Sequence, residues 1–132
     1  ILQKNKEISL GNINTKRDLT YISDVCSAFL EIFKSNKVIG DILNIGSKKS
    51  ISVKDMVIYL GKILDSNIKI KIDQKRKRPI KSEVDNLVCD NKELIKKTNW
   101  KIKVNINDGL EKTLIWFNDP QNLINYKNQY NI

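Results

Sequence analysis

Between residues 75 and 90 the chain reads KRKRPIKSEVDNLVCD. Lys75, Arg76, Lys77 and Arg78 form a dense positive cluster, Pro79 stiffens the backbone after it, and Ser82 and Glu83 supply acceptors. The planar fork of an arginine donates two parallel hydrogen bonds to one anion, which suits phosphate. A carboxylate a few residues further on accepts bonds from sugar hydroxyls. The combination fits a ligand that is both phosphorylated and hydroxylated. Four adjacent cations equally suit a solvated loop, so their surroundings must decide.

With 24 Lys and Arg against 15 Asp and Glu, the 132-residue chain carries a formal charge of +9. That balance favours an anionic partner, whether nucleotide, nucleic acid or membrane surface. The length suits one domain with its own hydrophobic core. The sequence contains no histidine, which removes the commonest zinc ligand and the commonest general base. Cys26 and Cys89 are too few for a metal cluster or a disulfide framework. Both read as small, reduced, packed residues, one in a helix and one in a strand, as suits a cytoplasmic protein. No apolar run approaches the roughly 20 residues that span a bilayer, and no signal-peptide pattern opens the chain, so no membrane role is expected.

The elements that must position the basic stretch alternate between strand and helix. A short strand is expected at Glu7–Leu10, then a turn at Gly11-Asn12, then an extended segment over 17–23 rich in β-branched and aromatic residues. Ser23 or Asp24 should cap a helix whose Val25, Ala28, Phe29, Ile32 and Phe33 recur at helical spacing and face the core. After Gly40, residues 41–45 are nearly all apolar, as suits a strand covered on both faces. Ser52, with Asp55 three residues on, opens a second helix with a stripe of Val53, Met56, Val57, Leu60 and Ile63 or Leu64. IKIKI, residues 68–72, alternates cleanly as a strand with one wet face. A strand at 87–89 follows, then a short helix capped by Asp90 or Asn91 that runs to Lys97. A last helix runs from 107 or 108 to 117, with Leu110, Leu114 and Phe117 on one side, and Asp119-Pro120 stops it. Trp100 and Trp116 read as packing residues. The pattern is a small mixed α/β domain of short strands and about four helices over residues 1–120, followed by a loosely attached tail, 121–132.

Neither a Tyr-x-x-x-Lys pair nor a glycine-rich dinucleotide fingerprint is present. Three segments nevertheless resemble, in order and spacing, the carboxy-terminal part of the extended short-chain dehydrogenases/reductases, the NAD-dependent epimerase/dehydratase family. GNINTKRDLTYISD (11–24) is similar to that family's glycine, Thr-Arg-Asp, aromatic, Val-x-Asp signature. LNIGS (43–47) is similar to its Asn-Ile-Gly strand end. RPIKSEVDNLVCDN (78–91), with Thr98-Asn99-Trp100 and the closing GLEKTLIWF, completes the likeness. The nearest pattern is that of bacterial sugar-nucleotide 4,6-dehydratases of the GDP-mannose and legionaminic-acid-pathway type, over residues 1–118.

The resemblance implies a division of labour. An amino-terminal Rossmann half would bind NAD(P) and carry the catalytic Tyr-Lys pair, and this chain, which opens on Ile1, would be the half that closes over a nucleotide diphosphate sugar. Alone it should be inactive, with no catalytic, cofactor-binding or metal residue of its own, and the parent could be a homodimer. By the same resemblance Arg17 contacts the diphosphate, Arg78 lies near phosphate or ribose, and Glu83 holds ribose hydroxyls, although the interval from Arg78 to Glu83 is longer here than in the family. Lys77, Lys81 and Ser82 are extra contacts with no motif behind them. From the residues alone, Arg17 equally suits a surface ion pair with Asp18 or Asp24, and Asn44 suits a strand end bonding backbone. Two further readings stay open. A nucleic-acid-binding module would use the basic run, but the aromatics do not interleave with it and no helix pairs a basic face with a recognition motif. A ligand-free interaction domain is the other.

Overall fold

The computed structural model describes residues 7–124. Two small sheets organise it. β1 (Glu7–Leu10) lies parallel to β4 (Lys69–Ile72), Glu7 opposite Lys69 and Leu10 opposite Ile72. β2 (Lys16–Asp18) is the centre of the second sheet, antiparallel to β3 (Ser50–Ser52) and parallel to β5 (Asn86–Leu87). Helices α1 (Ile22–Lys34), α2 (Val53–Ile63), α3 (Lys92–Lys97), α4 (Ile106–Asn118) and α5 (Pro120–Leu123) complete the described residues. The mixed α/β unit expected from the sequence is thus observed. The fifth helix arises because Asp119, expected to end α4, also caps α5 by accepting from the Gln121 amide at 2.9 Å. The remainder of the tail, 125–132, lies outside the described residues.

Local signals account for most element starts. The Ser52 hydroxyl accepts from the Asp55 amide at 3.0 Å and donates to the Asp55 carboxylate at 2.6 Å, which closes the first turn of α2. Asn105 caps α4 by accepting from the Asp108 amide at 3.0 Å, and Asp90 accepts from the Lys92 amide at the start of α3 at 3.2 Å. The strands are shorter than expected. Of segment 17–23 only Arg17 and Asp18 are paired, within β2, and of 87–89 only Leu87, within β5, because the partner strands on either side of β2 are themselves three and two residues long. Residues 41–45 belong to neither sheet among the described residues.

The core is small and lies between α1, α3 and segment 41–45. Ala28, Leu94 and Trp100 are fully buried, with Ile32, Leu43 and Ile45 packed against them. This corrects three expectations for α1. Ala28 faces the core, but Phe29 and Phe33 are 63% and 89% exposed. Cys26 is exposed rather than packed. The helix has apolar residues on both faces, so periodicity could not choose which one is covered. The cap is also displaced: Tyr21 is the N-cap, without a side-chain bond. Asp24 sits inside the first turn and is 1% exposed, because its carboxylate accepts from the Lys103 and Val104 amides at 3.1 and 2.9 Å. Its own carbonyl accepts from the indole of Trp100 at 2.9 Å. Asp24 therefore ties α1 to the segment between α3 and α4. Trp116 corrects the other tryptophan expectation: it is 47% exposed, set edge-on to Phe117.

Candidate functional site

The side chain of Asp18 holds three separate stretches of sequence together. Alternation along β2 sends Arg17 and Asp18 to opposite faces. The Asp18 carboxylate accepts from the Ser47 amide at 2.8 Å and hydroxyl at 2.5 Å, from the Lys48 amide at 2.9 Å and from the Cys89 amide at 3.1 Å. The chain reaches this carboxylate through a left-handed residue, Lys48, with φ 61°. Asn91 adds a second tie by donating from Nδ2 to the Gly46 carbonyl at 2.7 Å. Gly46 must be glycine here, since a Cβ would collide with the Cβ and Sγ of Cys89. The segments RDLTYISD, LNIGS and EVDNLVCDN thus meet at one junction.

Over that junction lies a cavity of ≈ 380 Å³ lined by Arg17, Asn44, Leu87, Val88 and Asp90, with Asp18 and Cys89 at its base. Its size falls in the range of small-molecule sites. A larger cavity of ≈ 440 Å³ between α2 and β4 is walled by Val57, Ile58, Ile68 and Ile70 together with Lys62, Asp65, Ser66 and Asn67, and has no arginine.

Arg17 is held by its neighbours but not saturated. Nη1 donates to the carbonyls of Lys16 and Val84 at 2.8 and 2.7 Å, and Nη2 meets Glu83 Oε1 at 3.3 Å. A guanidinium has five N–H donors, so Nε–H and one Nη2–H remain without a partner among the described residues. Those two donors are free to take an oxyanion by charge-assisted hydrogen bonds. Glu83 is 14% exposed and Arg17 32%; Oε2 of Glu83 has no partner among the described residues. The partner of Arg17 is therefore Glu83, not the Asp18 or Asp24 considered from the sequence.

The other candidates separate. Arg78 is exposed, lies between the single turns Gln74–Arg76 and Ile80–Ser82, and has no ion pair or hydrogen bond among the described residues. Lys77 and Lys81 are likewise exposed. Ser82 closes a turn by donating from both its amide and its hydroxyl to the Pro79 carbonyl at 2.9 and 3.0 Å. Arg76, read from the sequence as a solvated charge, is instead pinned to β1. It donates to the Ser9 carbonyl at 3.1 Å and pairs with Asp73 at 3.4 Å. A Cβ at Gly11 would strike the Arg76 carbonyl, so the Gly11-Asn12 turn and the start of the basic loop fit closely. Glu83 and Val84 secure its other end at Arg17.

Electrostatics at the base of the cavity favour a neutral thiol and a charged carboxylate. Burial, then the charges of Asp18 and Asp90, raise the pKa of Cys89, which makes it a poor nucleophile. The Lys92 amide, with the charges of Lys92 and Lys48 assisting, lowers the pKa of Asp90. Two contributors escaped the sequence reading. Asn44, read as a strand end bonding backbone, makes no hydrogen bond among the described residues and lines the cavity. Asp18 was read only within a motif and as an ion-pair partner for Arg17; its four donors come from 29 to 71 residues away.

Comparison with known proteins places this arrangement among the extended short-chain dehydrogenases/reductases. Residues 1–113 match the profile of the family described as GDP-mannose 4,6 dehydratase, and the chain belongs to that family. It is 31% identical over 109 residues to the Escherichia coli dTDP-4-dehydro-6-deoxyglucose reductase, covering 80% of this chain and 32% of the relative. It is 29% identical over 134 residues to the human dTDP-D-glucose 4,6-dehydratase, covering 97% and 37%. A solved Bacillus cereus UDP-glucuronic acid 4-epimerase variant, in complex with UDP-4-deoxy-4-fluoro-glucuronic acid and NAD, superimposes with a TM-score of 0.67 at 25% identity, covering 80% and 32%. The chain thus spans about a third of the length of these relatives. No helix among the described residues is long and apolar enough to cross a membrane.

Proposed function

We propose that this chain is the nucleotide-sugar-binding part of an NAD(P)-dependent 4,6-dehydratase or epimerase. The observation that carries the reading is the pair of unpartnered donors of the Arg17 guanidinium beside a cavity, with Glu83 next to it. Arg17 takes diphosphate oxygens on those donors, and Glu83, through Oε2, accepts from a ribose or sugar hydroxyl. Arg78 approaches the phosphate or ribose from the basic loop. The relatives support the substrate class, since they are proteins of dTDP-sugar metabolism and one solved neighbour holds a UDP-sugar.

The dinucleotide and the proton-transfer groups belong to a Rossmann part outside this chain. The contribution of these residues is binding energy and orientation, which lower the barrier by fixing the sugar where the reaction occurs. The isolated chain is accordingly inactive, and the parent works in the cytoplasm as a homodimer.

Titration of GDP-, UDP- and dTDP-sugars into the parent enzyme by calorimetry tests the reading. Arg17→Ala should weaken binding by about 1.5–3 kcal/mol, or roughly 10- to 150-fold, through loss of a charged hydrogen bond. Unchanged affinity would remove Arg17 from the site. Tight, salt-dependent binding of DNA with no sugar-nucleotide binding would favour the nucleic-acid reading instead.

A further inference from the structure

Charge is not spread evenly along this chain. Residues 69–82 hold seven of its 24 Lys and Arg and one of its 15 Asp and Glu, which leaves 17 against 14 elsewhere. Asp73, the one carboxylate of the stretch, pairs with Arg76 at 3.4 Å. The other six cations, Lys69, Lys71, Lys75, Lys77, Arg78 and Lys81, are exposed, and their side chains have no ion pair among the described residues. Of the neighbouring carboxylates Glu83 faces Arg17. Glu7, opposite Lys69 in the β1–β4 register, and Asp85, beyond the loop, offset the excess only in part.

Position gives this excess a direction. Arg76 holds the start of the basic loop at the Ser9 carbonyl, and Glu83 and the Val84 carbonyl hold its end at Arg17. Lys81 and Lys77 are two and six residues from Glu83, at most roughly 7 and 21 Å of extended chain. The cavity where the loop ends, ≈ 380 Å³, is sized for a small molecule rather than a polymer. An exposed ammonium on a flexible stem does not hold a ligand in one geometry. Its field still acts at a distance, since charges of one sign beside a cavity raise the local concentration of an anion and speed its encounter.

We propose that Lys75, Lys77 and Lys81 steer a nucleoside diphosphate to the Arg17 cavity. They govern how fast the anion arrives, and Arg17 with Glu83 governs how long it stays. This rests on the reading that the chain binds nucleotide sugars. Salt separates the two roles, because the screening length is about 30 Å at 0.01 M and about 8 Å at 0.15 M. At low salt the field of the whole loop reaches the cavity, and at higher salt only the nearest charges do.

Stopped-flow association of GDP-mannose, UDP-glucuronic acid and dTDP-D-glucose with the parent enzyme across this salt range tests the proposal. Lys75→Glu, Lys77→Glu and Lys81→Glu together should slow association about 30-fold at 0.01 M salt and about 3-fold at 0.15 M, with dissociation unchanged. The corresponding triple Gln variant, which removes the charges without reversing them, should show a smaller loss with the same salt trend. Arg17→Ala should do the opposite, speeding dissociation and changing association by less than about two-fold. Steering is overturned if the triple variants associate as fast as the parent, or if their loss is the same at both salt concentrations. Faster dissociation also overturns it, since the lysines would then be contacts. Duplex DNA bound tightly by the parent and not by the Glu variant would assign the patch to nucleic acid instead. The two readings fail separately. Unaltered dissociation of Arg17→Ala, with slowed association of the triple variants, removes Arg17 from the site and keeps the steering; absence of binding of all three sugars by calorimetry refutes both.

Discussion

At the Asp18 junction four donors converge on one carboxylate, and Asn91 and Gly46 fill the space beside it. Along α1 and residues 42–45 the opposite holds: Phe33 is 89% exposed, Ile42 is 93% exposed, and the backbone of 42–45 has no hydrogen-bond partner among the described residues. Both regions draw on the same segment, LNIGS, whose Leu43 and Ile45 touch the core while Ser47 reaches Asp18. The contrast shows which contacts this stretch of chain completes alone. The Asp18 carboxylate is satisfied by donors from 47–48 and 89, whereas Arg17, Glu83 and Asn44 keep unpartnered polar atoms among the described residues and the apolar side chains along α1 stay exposed.

The largest expected effect lies where the two regions share a core. Trp100→Ala should destabilise the chain by about 3–5 kcal/mol, because the indole is 1% exposed and also bonds Asp24 and Ser27. Denaturant unfolding measures it, and a loss under about 1 kcal/mol would mean that the core is elsewhere.

Asp18→Ala comes next, at about 2–3 kcal/mol, since it strands several amides whose partner was a charged acceptor. Hydrogen exchange should localise the loosening to residues 46–48 and 89. A uniform change across the domain would contradict the junction as a local clamp.

By contrast, Phe33→Asp should alter the stability of the chain itself by no more than about 0.5 kcal/mol, as for other exposed sites. Thermal unfolding checks this, and a large loss would show that the stripe on α1 is already covered.

The smallest effect concerns the thiols. Cys26 is exposed, while the pKa of Cys89 is raised above that of an ordinary thiol, by burial first and then by Asp18 and Asp90. A raised thiol pKa keeps the proton on in the folded state, so at about pH 8 an alkylating reagent should modify Cys26 first. Cys89 should gain on it only as the pH climbs past its folded-state value. Equal rates at the lower pH, read by mass spectrometry, would mean that the cavity base is open to solvent.

Much of this architecture was legible beforehand where its cause is local. The Ser52-Asp55 box, the Asp90 cap, the Asp119-Pro120 stop and the alternation of 68–72 all act within four residues, so the order of residues is enough to reveal them. The motifs that carry family membership were likewise readable in order. What remained hidden depends on partners far along the chain. Arg17 meets Glu83 across 66 residues, and Asp24 meets Val104 across 80. No spacing rule announces such pairs.

By itself, then, the sequence determined the alternation of elements, the positive charge, the start of α2 at Ser52 and the three motifs of the family. Only the tertiary structure decided that Asp18 would hold those motifs together, that Glu83 rather than Asp18 or Asp24 would face Arg17, and which side of α1 would be buried. The physical reason is the same in each case. A local signal states what a residue can do, and chain closure selects which of several capable residues is within 3 Å of the partner. For α1, with apolar side chains on both faces, the buried side is chosen by what α3 and residues 43–45 bring against it.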